Sequence, residues 1–477
     1  MDYIKLLKKE INRNAEFNLN TYPYTYLSHL DKLHIFDFDK KSLTEIVNRS
    51  QNAFESFKFY SSYDRTDILL KTAEALEKHY DTMAEIISLE AKKPLKAARQ
   101  EVERSIQTLK LSGIEASKLE GESINLDVAP NGSGREAFTK YEPLGIVYAM
   151  TPFNFPLNLA LHKIGPAIAV GNSVIIKPSE KTPFSSFFIK YILEESGLPE
   201  NVLQIVTGDG EEVTDHLLTF DEIKKISFTG SAKVGKLIKS KAGLRELTLE
   251  LGSTSPVYIT EEVDDLKNIA EKVVNAAFSY NGQVCISTQK AYVDEGVYEP
   301  FLKLLKKQTE SLKYGEVLDT KTDFTDLIDE QSQERIRDWL EESVNDGAEI
   351  ITGGDVLNGA ITPTIVTGAT ADMKICTKEV FGPVLVVEKV TSPEGISEKL
   401  NSSEFGLNVG VFTNNLKTAL KLGNVLDYGQ VLINDVPTLR FDHMPYNGRK
   451  NSGYGTEGIK YAIKEMSKLK MISLNYE

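Results

Sequence analysis

The sequence of 477 residues has few of the residues that stabilise a protein by covalent or metal links: two cysteines and six histidines. Two cysteines cannot form a disulfide framework or a cysteine zinc site, so we expect no metal and a reducing, cytoplasmic environment. The start, MDYIKLLKKE, lacks the apolar core of a secretory signal. Apolar runs such as IGPAIAVGNSVII are too short and too interrupted to span a membrane.

Basic residues are also outnumbered by acidic ones: the sequence has 55 Lys and Arg and 69 Asp and Glu, which gives a formal net charge of -14. Neutralising nucleic-acid phosphates requires a basic surface, so nucleic acid is excluded as the main partner. With 41% hydrophobic and 26% charged residues, the chain is typical of a globular protein with a large core. The length predicts two or three domains.

The hydrophobic pattern changes its period along the chain. Residues 42–116 are helical in pattern, and Ser42 with Glu45 forms a predicted capping box. After the turn cluster APNGSGR come short apolar runs that alternate with helical segments: GIVYAM, SVIIKPS, NVLQIVTG, KKISFTG and SPVYIT. This alternation predicts a doubly wound α/β sheet, and a similar set after residue 285 predicts a second α/β unit. The first forty residues read as an irregular arm.

Four short motifs carry chemically useful side chains, each with a simpler alternative. Cys285 in NGQVCIS is either a reactive thiol on a turn or a small buried hydrophobe. Glu250, inside the apolar LTLELGS, is a buried general base or a partly exposed strand residue. Asn154 in TPFNFP is an oxyanion donor or a turn residue. Lys177 and Glu180 follow a strand, where open sheets bind ligands, or lie in a solvated loop.

A strand-to-helix turn in ISFTGSAKVGKLI places Gly230, Ser231 and Gly235 where backbone N–H groups can meet a phosphate, although many such turns carry glycines for steric reasons alone. Together with TPFNFP, IIKPSE, LELGS, NGQVCIS, KEVFGPVL and MPYNGRKNSGYG, this turn falls in a distinctive order. The sequence, from about residue 42 to the C-terminus, resembles the aldehyde dehydrogenase superfamily. It looks most like the branch that includes lactaldehyde and non-phosphorylating glyceraldehyde-3-phosphate dehydrogenases.

The resemblance implies the catalytic roles. Cys285 would be the nucleophile, and Asn154 with the backbone N–H of Cys285 would form the oxyanion hole. Glu250 would activate the water that hydrolyses the thioester, after hydride transfer to a nicotinamide. Lys177 would help to organise the site. Cys376 gains no such support and is expected to be structural.

The resemblance also implies the cofactor contacts and their preference. A carboxylate at Glu180 can accept from both ribose hydroxyls but would repel a 2′-phosphate, so NAD is expected rather than NADP. Ser253 and Thr214 depart from glycines that the family commonly has there. The implied contacts are Thr151, Pro152, Phe153, Lys177, Ser179, Glu180, Gly210, Gly230, Ser231, Val234, Leu251, Glu379 and Phe381.

Three residues are expected to contact the substrate, by resemblance: Arg104, His162 and Arg440. Their alternatives are a solvated helix charge, a satisfied core histidine and a loop salt bridge. The arginines favour a small hydroxylated or anionic aldehyde. Val284, before the nucleophile, argues against a strictly phosphorylated substrate, because several relatives that use one carry Arg there. Succinate semialdehyde, phosphonoacetaldehyde and glyceraldehyde 3-phosphate remain alternatives.

Two other functions stay open at this point. In a CoA-acylating enzyme CoA would take the acyl group, but such relatives often lack the base and Glu250 is present. A catalytically dead NAD-binding protein would tend to lose the nucleophile, and Cys285 is present.

The domain organisation follows from the same resemblance. We expect a Rossmann-like NAD-binding domain (1–121 and 142–250), an α/β catalytic domain (251–445) and a small β oligomerisation arm (122–141 and 466–477). KMISLNY reads as an edge strand, and an unpaired edge invites a partner chain. A homodimer or homotetramer is therefore expected.

Overall fold

The computed structural model describes Leu7, residues 20–23 and residues 34–476. Most of the predicted irregular arm lies outside these residues. The described part is a mixed α/β protein with two large sheets. Its α-helices are Lys40–Phe57, Ser62–Lys78, Tyr80–Ala91, Leu95–Ala116, Asn158–Val170, Phe184–Glu195, Gly210–Leu217, Ala232–Lys241, Leu266–Phe278, Glu295–Thr309, Glu330–Asn345, Lys374–Thr377, Ile396–Asn401, Leu416–Val425 and Ile459–Glu465.

The first large sheet has six strands and carries the predicted nucleotide motifs. Five strands are parallel, and the short edge strand Gly453–Tyr454 is antiparallel to its neighbour. The chain runs outward on one side of Ile146–Met150 and then returns to its other side, so the strand order reverses there. The spatial order is Gly453–Tyr454, Glu246–Glu250, Ile223–Thr229, Ile146–Met150, Ser173–Lys177 and Leu203–Ile205. Ligands of open α/β sheets bind beyond the carboxyl ends of the strands at such a reversal.

The second large sheet has seven strands, six of them parallel, with an antiparallel edge strand at Glu349–Thr352. Its central strands are buried on both faces, which explains why they read as continuous apolar runs rather than as alternating ones. The spatial order is Glu349–Thr352, Thr364–Thr367, Val384–Val390, Lys290–Asp294, Pro256–Ile259, Asn408–Phe412 and Gln430–Ile433.

A three-stranded antiparallel sheet lies apart from both and comprises Ser467–Asn475, Arg135–Pro143 and Ser123–Ile124. The predicted strand KMISLNY lies in the first of these and forms one edge of the sheet. Small two-stranded pairs complete the strands: Asn20–Pro23 with His34–Asp37, Val356–Leu357 with Ala360–Ile361, and Phe405–Gly406 with Arg449–Lys450. Short 3-10 helices occupy Ser279–Gly282 and Pro393–Gly395.

The first helix corrects one sequence-based prediction. It begins at Lys40, and its N-cap is Asp39, whose carboxylate accepts a hydrogen bond from the Ser42 backbone N–H at 2.7 Å. Ser42 is already inside the helix and buried, and Glu45 pairs instead with Arg49 one turn later. The capping box predicted at Ser42 is wrong, because an equally good cap precedes it by three residues and lengthens the helix by one turn.

Candidate active site

A cleft of about 500 Å³ opens at the carboxyl ends of the first large sheet, where the strand order reverses. It brings together nine of the residues expected to hold the cofactor: Thr151, Pro152, Phe153, Lys177, Ser179, Glu180, Gly210, Gly230 and Val234. The strands Ile146–Met150, Ser173–Lys177 and Ile223–Thr229 all end at this cleft. Motifs that are far apart along the chain therefore meet at one edge of the sheet.

The floor and rim of the cleft carry opposite charges. Lys177 is almost buried and its Nζ donates to Oε1 of Glu180, whose side chain is 45% exposed. Ser231 caps the helix Ala232–Lys241 and accepts from the Val234 N–H at 3.3 Å. The positive end of that helix thus faces the cleft, as anion binding requires. At Gly230 a Cβ would stand 2.5 Å from the Phe228 ring, so the turn leaves no room for a side chain.

Thr214, one of the two departures from the family pattern, serves the core as well as the cleft. Its Oγ1 lies 3.0 Å from the hydroxyl of Tyr148, which is fully buried in the central strand. A glycine here would leave that hydroxyl without this partner, and a buried polar group without a partner is costly.

Four residues expected at the cofactor do not line this cleft: Ser231, Leu251, Glu379 and Phe381. Leu251 is buried in the core beside Gly235. Glu379 accepts from the Ser253 N–H at 3.0 Å, and burial raises the pKa of its carboxyl to about 7. Phe381 packs edge-on against Phe153, with ring centroids 5.8 Å apart. Through this ring contact Phe381 joins the second large sheet unit to the cleft.

Cys285 follows a short, sharply bent segment. Tyr280, Asn281 and Gly282 all have positive φ angles, which is unfavourable for the first two residues. Asn281 compensates by hydrogen bonding the backbone of Thr325, donating at 2.6 Å and accepting at 3.1 Å. Gly282 has no space for a Cβ, which would come 2.2 Å from the Gly382 carbonyl oxygen. The thiol is thereby fixed on a rigid turn.

Asn154 lies beside this turn. Its Nδ2 donates to the backbone carbonyl of Gln283 at 2.9 Å, two residues before the nucleophile, while its Oδ1 is buried without a partner. The backbone carbonyl of Asn154 accepts from Nζ of Lys93. Lys93 also pairs with Glu101 at 2.6 Å, and both side chains are fully buried. The Asn154 turn therefore rests on a buried ion pair that sequence reasoning did not identify.

Glu250 ends its strand with both carboxylate oxygens buried and without a hydrogen-bond partner. Burial, followed by the nearby charge of Glu457, raises the pKa of Glu250 well above its usual range. Arg440 and Lys163 act in the opposite direction. A carboxyl group with a raised pKa and free lone pairs has the properties of a general base.

A second cavity, of about 260 Å³, contains Cys285 in its wall. Arg104, Lys93, Glu101, Asn158, Thr438 and Arg440 line it as well. Of the predicted substrate residues, Arg104 and Arg440 thus reach this cavity. His162 does not line it, and lies fully buried with Nε2 2.8 Å from Oδ1 of Asp442.

Asp442 connects these residues. Arg104 donates to its two oxygens at 2.7 and 3.4 Å, while His162 approaches Oδ1 from the buried side. Burial alone would raise the pKa of Asp442, but the hydrogen bond from His162 and the charge of Arg104 hold it well below its usual range. Burial and the charge of Arg440 lower the pKa of His162. Arg104 is 31% exposed and retains N–H groups that Asp442 does not occupy.

Arg440 is placed more deeply than its expected role suggests. Its side chain is only 6% exposed and pairs with Glu457 at 3.1 Å. Its guanidinium stacks on Tyr446 at 3.7 Å from the ring centroid. Lys163 completes the group with a 2.8 Å bond to Glu457. Sequence reasoning did not identify Tyr446 as a site residue. The signal that could have pointed to it is its place in MPYNG, within one of the motifs quoted above.

Within the described residues, no group of His, Cys, Asp and Glu has an arrangement suited to a metal ion. Among the helices of residues 34–476, none combines the length and the apolar character needed to cross a membrane.

The comparisons agree with this arrangement of two largely parallel sheets, a cleft at the strand ends and a cysteine in the wall of a second cavity. The aldehyde dehydrogenase family model matches residues 31–472, and the chain belongs to that family. It is 42% identical over 436 residues to a 3-sulfolactaldehyde dehydrogenase of Priestia aryabhattai, covering 91% of each chain. It is 40% identical over 458 residues to a lactaldehyde dehydrogenase of Methanococcus maripaludis, covering 95% of this chain and 96% of that protein.

Among solved structures, the chain is similar to the glyceraldehyde-3-phosphate dehydrogenase GapN of Methanocaldococcus jannaschii in complex with NADP. The TM-score is 0.91 at 35% identity, covering 96% of this chain and 100% of that one. The α/β fold, the family and the enzyme class predicted from the sequence, an oxidoreductase acting on aldehydes, are confirmed.

The Lys93–Glu101 pair gives a direct test of how the Asn154 turn is supported. We expect Lys93→Met to lower the free energy of unfolding by roughly 3–5 kcal/mol, because Glu101 would remain buried without its cation. Urea-induced unfolding followed by circular dichroism measures the change. The control is Lys374→Met, which removes an ion pair to Glu342 that is 51% exposed on both sides. A loss there should stay below about 1 kcal/mol. Equal losses in both variants would contradict the structural role of the buried pair.

Proposed function

We propose that this protein oxidises a small hydroxylated aldehyde, lactaldehyde-like, to its carboxylic acid with NAD as the hydride acceptor. The observation that carries this proposal is the position of Cys285. Its thiol lies in the wall of a small cavity, and one short segment reaches both this cavity and the cleft of the nucleotide motifs: Phe153 lines the cleft and Phe155 lines the cavity.

The residues of the chain support a two-stage reaction at Cys285. The thiolate adds to the aldehyde carbon, and Asn154, with the Cys285 N–H, stabilises the resulting oxyanion. A nicotinamide held in the cleft would accept the hydride that leaves this carbon as its C=O bond re-forms, and the acyl group then remains on Cys285 as a thioester. Glu250 then removes a proton from the water that hydrolyses the thioester, and burial, which raises its pKa, makes it a stronger base than an exposed carboxylate. The presence of Glu250 favours hydrolysis over transfer to CoA.

The cleft has features that suit NAD. The N-terminus of the helix after Ser231 is available to a pyrophosphate. In the turn before it, a Cβ at Gly230 would collide with the Phe228 ring. Glu180, which is partly exposed at the rim, can accept from ribose hydroxyls. Its neighbours Asp209 and Glu211 add further negative charge to the lining. A 2′-phosphate would meet this acidic rim, which supports NAD over NADP, although several similar structures contain NADP.

The charge of the substrate cavity favours a hydroxylated over a phosphorylated aldehyde. Each cation of its wall already has a buried carboxylate partner: Lys93 with Glu101, Arg104 with Asp442, and Arg440 with Glu457. The remaining N–H groups can donate to a hydroxyl, but no uncompensated positive charge is left for a dianion. Two similar relatives, named for sulfolactaldehyde and lactaldehyde, agree with a small 2-hydroxy aldehyde.

A second candidate substrate is 3-sulfolactaldehyde, which adds a monoanionic sulfonate. Its support is Arg104, the most exposed cation of the three, whose guanidinium faces the cavity with N–H groups that Asp442 does not use.

We expect NADH production from lactaldehyde to exceed that from succinate semialdehyde, phosphonoacetaldehyde and glyceraldehyde 3-phosphate in kcat/KM. Glycolaldehyde and 3-sulfolactaldehyde complete the panel, and CoA is added in a parallel series. Cys285→Ser should abolish the signal, while Cys376→Ser, the matched control for the other cysteine, should retain it. Retained activity of Cys285→Ser would contradict the role of Cys285 as the nucleophile. If the native enzyme produces no NADH from any aldehyde, the catalytically dead NAD-binding protein becomes the better interpretation. If NADH forms only when CoA is present, the enzyme is CoA-acylating.

The same assay locates the substrate's polar end. Arg104→Met should raise KM by roughly tenfold, as expected for loss of a hydrogen bond from a charged donor. Arg99→Met is the control, because Arg99 lies on the same helix but pairs with Asp81 at the surface. If both variants keep the native KM for lactaldehyde and for 3-sulfolactaldehyde, Arg104 has no place in substrate binding.

The cofactor preference depends on Glu180. We expect kcat/KM for NAD to exceed that for NADP by at least roughly tenfold, because like charges placed together are strongly disfavoured. Glu180→Ser should reduce this ratio by improving the use of NADP. Glu212→Ser removes an exposed carboxylate from the neighbouring helix, outside the cleft lining, and should leave the ratio unchanged. A native preference for NADP would refute the assignment.

The three-stranded sheet supports a homodimer or homotetramer. Its long edge strand Ser467–Asn475 is largely exposed, including Leu469, Met471 and Leu474. An exposed strand edge with apolar side chains is a site for pairing with another chain. Light scattering should give a mass of two or four chains, and a monomer at micromolar concentration would contradict this proposal.

A further inference from the structure

The Cys285 thiol has a polar neighbour that the proposed reaction does not yet use. The hydroxyl oxygen of Tyr446 lies 3.5 Å from Cys285 Sγ, within hydrogen-bond distance for sulfur. Tyr446 is 1% exposed, so this contact is shielded from bulk water. Among the described residues, Tyr446 is the hydrogen-bond partner of the Cys285 sulfur.

Tyr446 is held rigidly from two sides. Its backbone exchanges two hydrogen bonds with Glu457, at 2.9 and 2.7 Å. Arg440 lies over its ring at 3.7 Å and pairs with Glu457 at 3.1 Å. Backbone, ring and cation thus form one closed unit, and the position of the hydroxyl follows from it. The backbone bonds fix the position of the residue, and the contact with Arg440 holds the ring that points its hydroxyl at the sulfur.

The direction of the hydrogen bond depends on the state of the sulfur. In the thiol form either Cys285 or Tyr446 can donate. In the thiolate form the sulfur has no proton, so only the tyrosine hydroxyl can donate. A hydrogen bond to an ionised group is stronger than one between neutral groups, so the contact favours the thiolate.

We propose that Tyr446 is a further catalytic residue, which donates a hydrogen bond to the Cys285 thiolate and increases the ionised fraction of the nucleophile. Arg440 is a positioning residue in this scheme. It lies over the Tyr446 ring, and its charge also acts on the thiol directly. The inference rests on the proposed function only in taking Cys285 as the nucleophile.

The surroundings of the sulfur explain why such a donor is needed. Burial raises the pKa of the Cys285 thiol to about 11, and the charges of Glu379 and Glu250 act in the same direction. Tyr446 and the charge of Arg440 oppose them. Burial and the neighbouring Cys285 raise the pKa of Tyr446 itself, so its hydroxyl keeps its proton and remains a donor.

The test measures Cys285 directly, without aldehyde or cofactor. In a Cys376→Ser background Cys285 is the sole cysteine of the chain. Its alkylation by iodoacetamide, followed by mass spectrometry as a function of pH, reports the thiolate fraction. We expect Tyr446→Phe to move the alkylation profile to higher pH by about one unit, since a hydrogen bond to a charged group is lost. At fixed neutral pH, alkylation should be roughly tenfold slower.

The matched control is Tyr428→Phe. Tyr428 is also a buried tyrosine, and its hydroxyl donates to the Leu400 carbonyl at 2.8 Å, away from Cys285. Its profile should coincide with that of the background. Arg440→Met should shift the profile in the same direction as Tyr446→Phe, and Arg440→Lys, which keeps the charge, should shift it less. Coincident profiles for Tyr446→Phe and Tyr428→Phe would overturn the inference.

The design separates this inference from the proposed function. If no aldehyde of the panel is oxidised but Tyr446→Phe still shifts the alkylation profile, the substrate proposal fails and the role of Tyr446 stands. If lactaldehyde is oxidised and the profile does not move, the function stands and Tyr446 has no part in ionising the thiol.

Discussion

The buried ion pair between Arg440 and Glu457 is the interaction on which the arrangement of the active site depends. Glu457 accepts from Lys163 on the helix Asn158–Val170, and from Arg440 in the segment that follows the second large sheet. Two cations hold the pKa of this buried carboxyl below its usual range despite the cost of desolvation. The pair then sets the place of Tyr446, and through it the surroundings of Cys285. A change here would reach the nucleophile and the base Glu250 together.

The same principle recurs around the site, where each of three cations is paired with a buried carboxylate. Lys93 with Glu101 supports the Asn154 turn, while Arg104, in the wall of the substrate cavity, is held from behind by Asp442 and His162. A buried pair contributes little net stability but is expensive to break, so each pair specifies a geometry. The cavity therefore combines many polar donors with little uncompensated charge, which suits a small hydroxylated molecule.

Much of the candidate site could be read from the sequence because its motifs are local. TPFNFP, IIKPSE and ISFTGSAKVG each join a strand to the turn at its carboxyl end, and parallel strands bring those ends to one edge. Residues whose roles depend on distant partners could not be placed in this way. His162 was expected at the substrate, yet it is buried against Asp442; Arg440 does line the cavity, but its stacking on Tyr446 could not be read from the sequence. At the first helix, the competition between Asp39 and Ser42 as the cap was resolved only by the observed backbone.

The sequence by itself determined the family, the α/β class, and the order of the chemically active segments, because strand and turn signals act over a few residues. The tertiary structure decided which charges neutralise one another, and that Cys285 faces Tyr446 across 161 positions of the chain. It also decided that Glu250 is buried without a hydrogen-bond partner. These properties depend on desolvation and on distances of a few ångströms between remote segments, and neither quantity is encoded in the local pattern of residues.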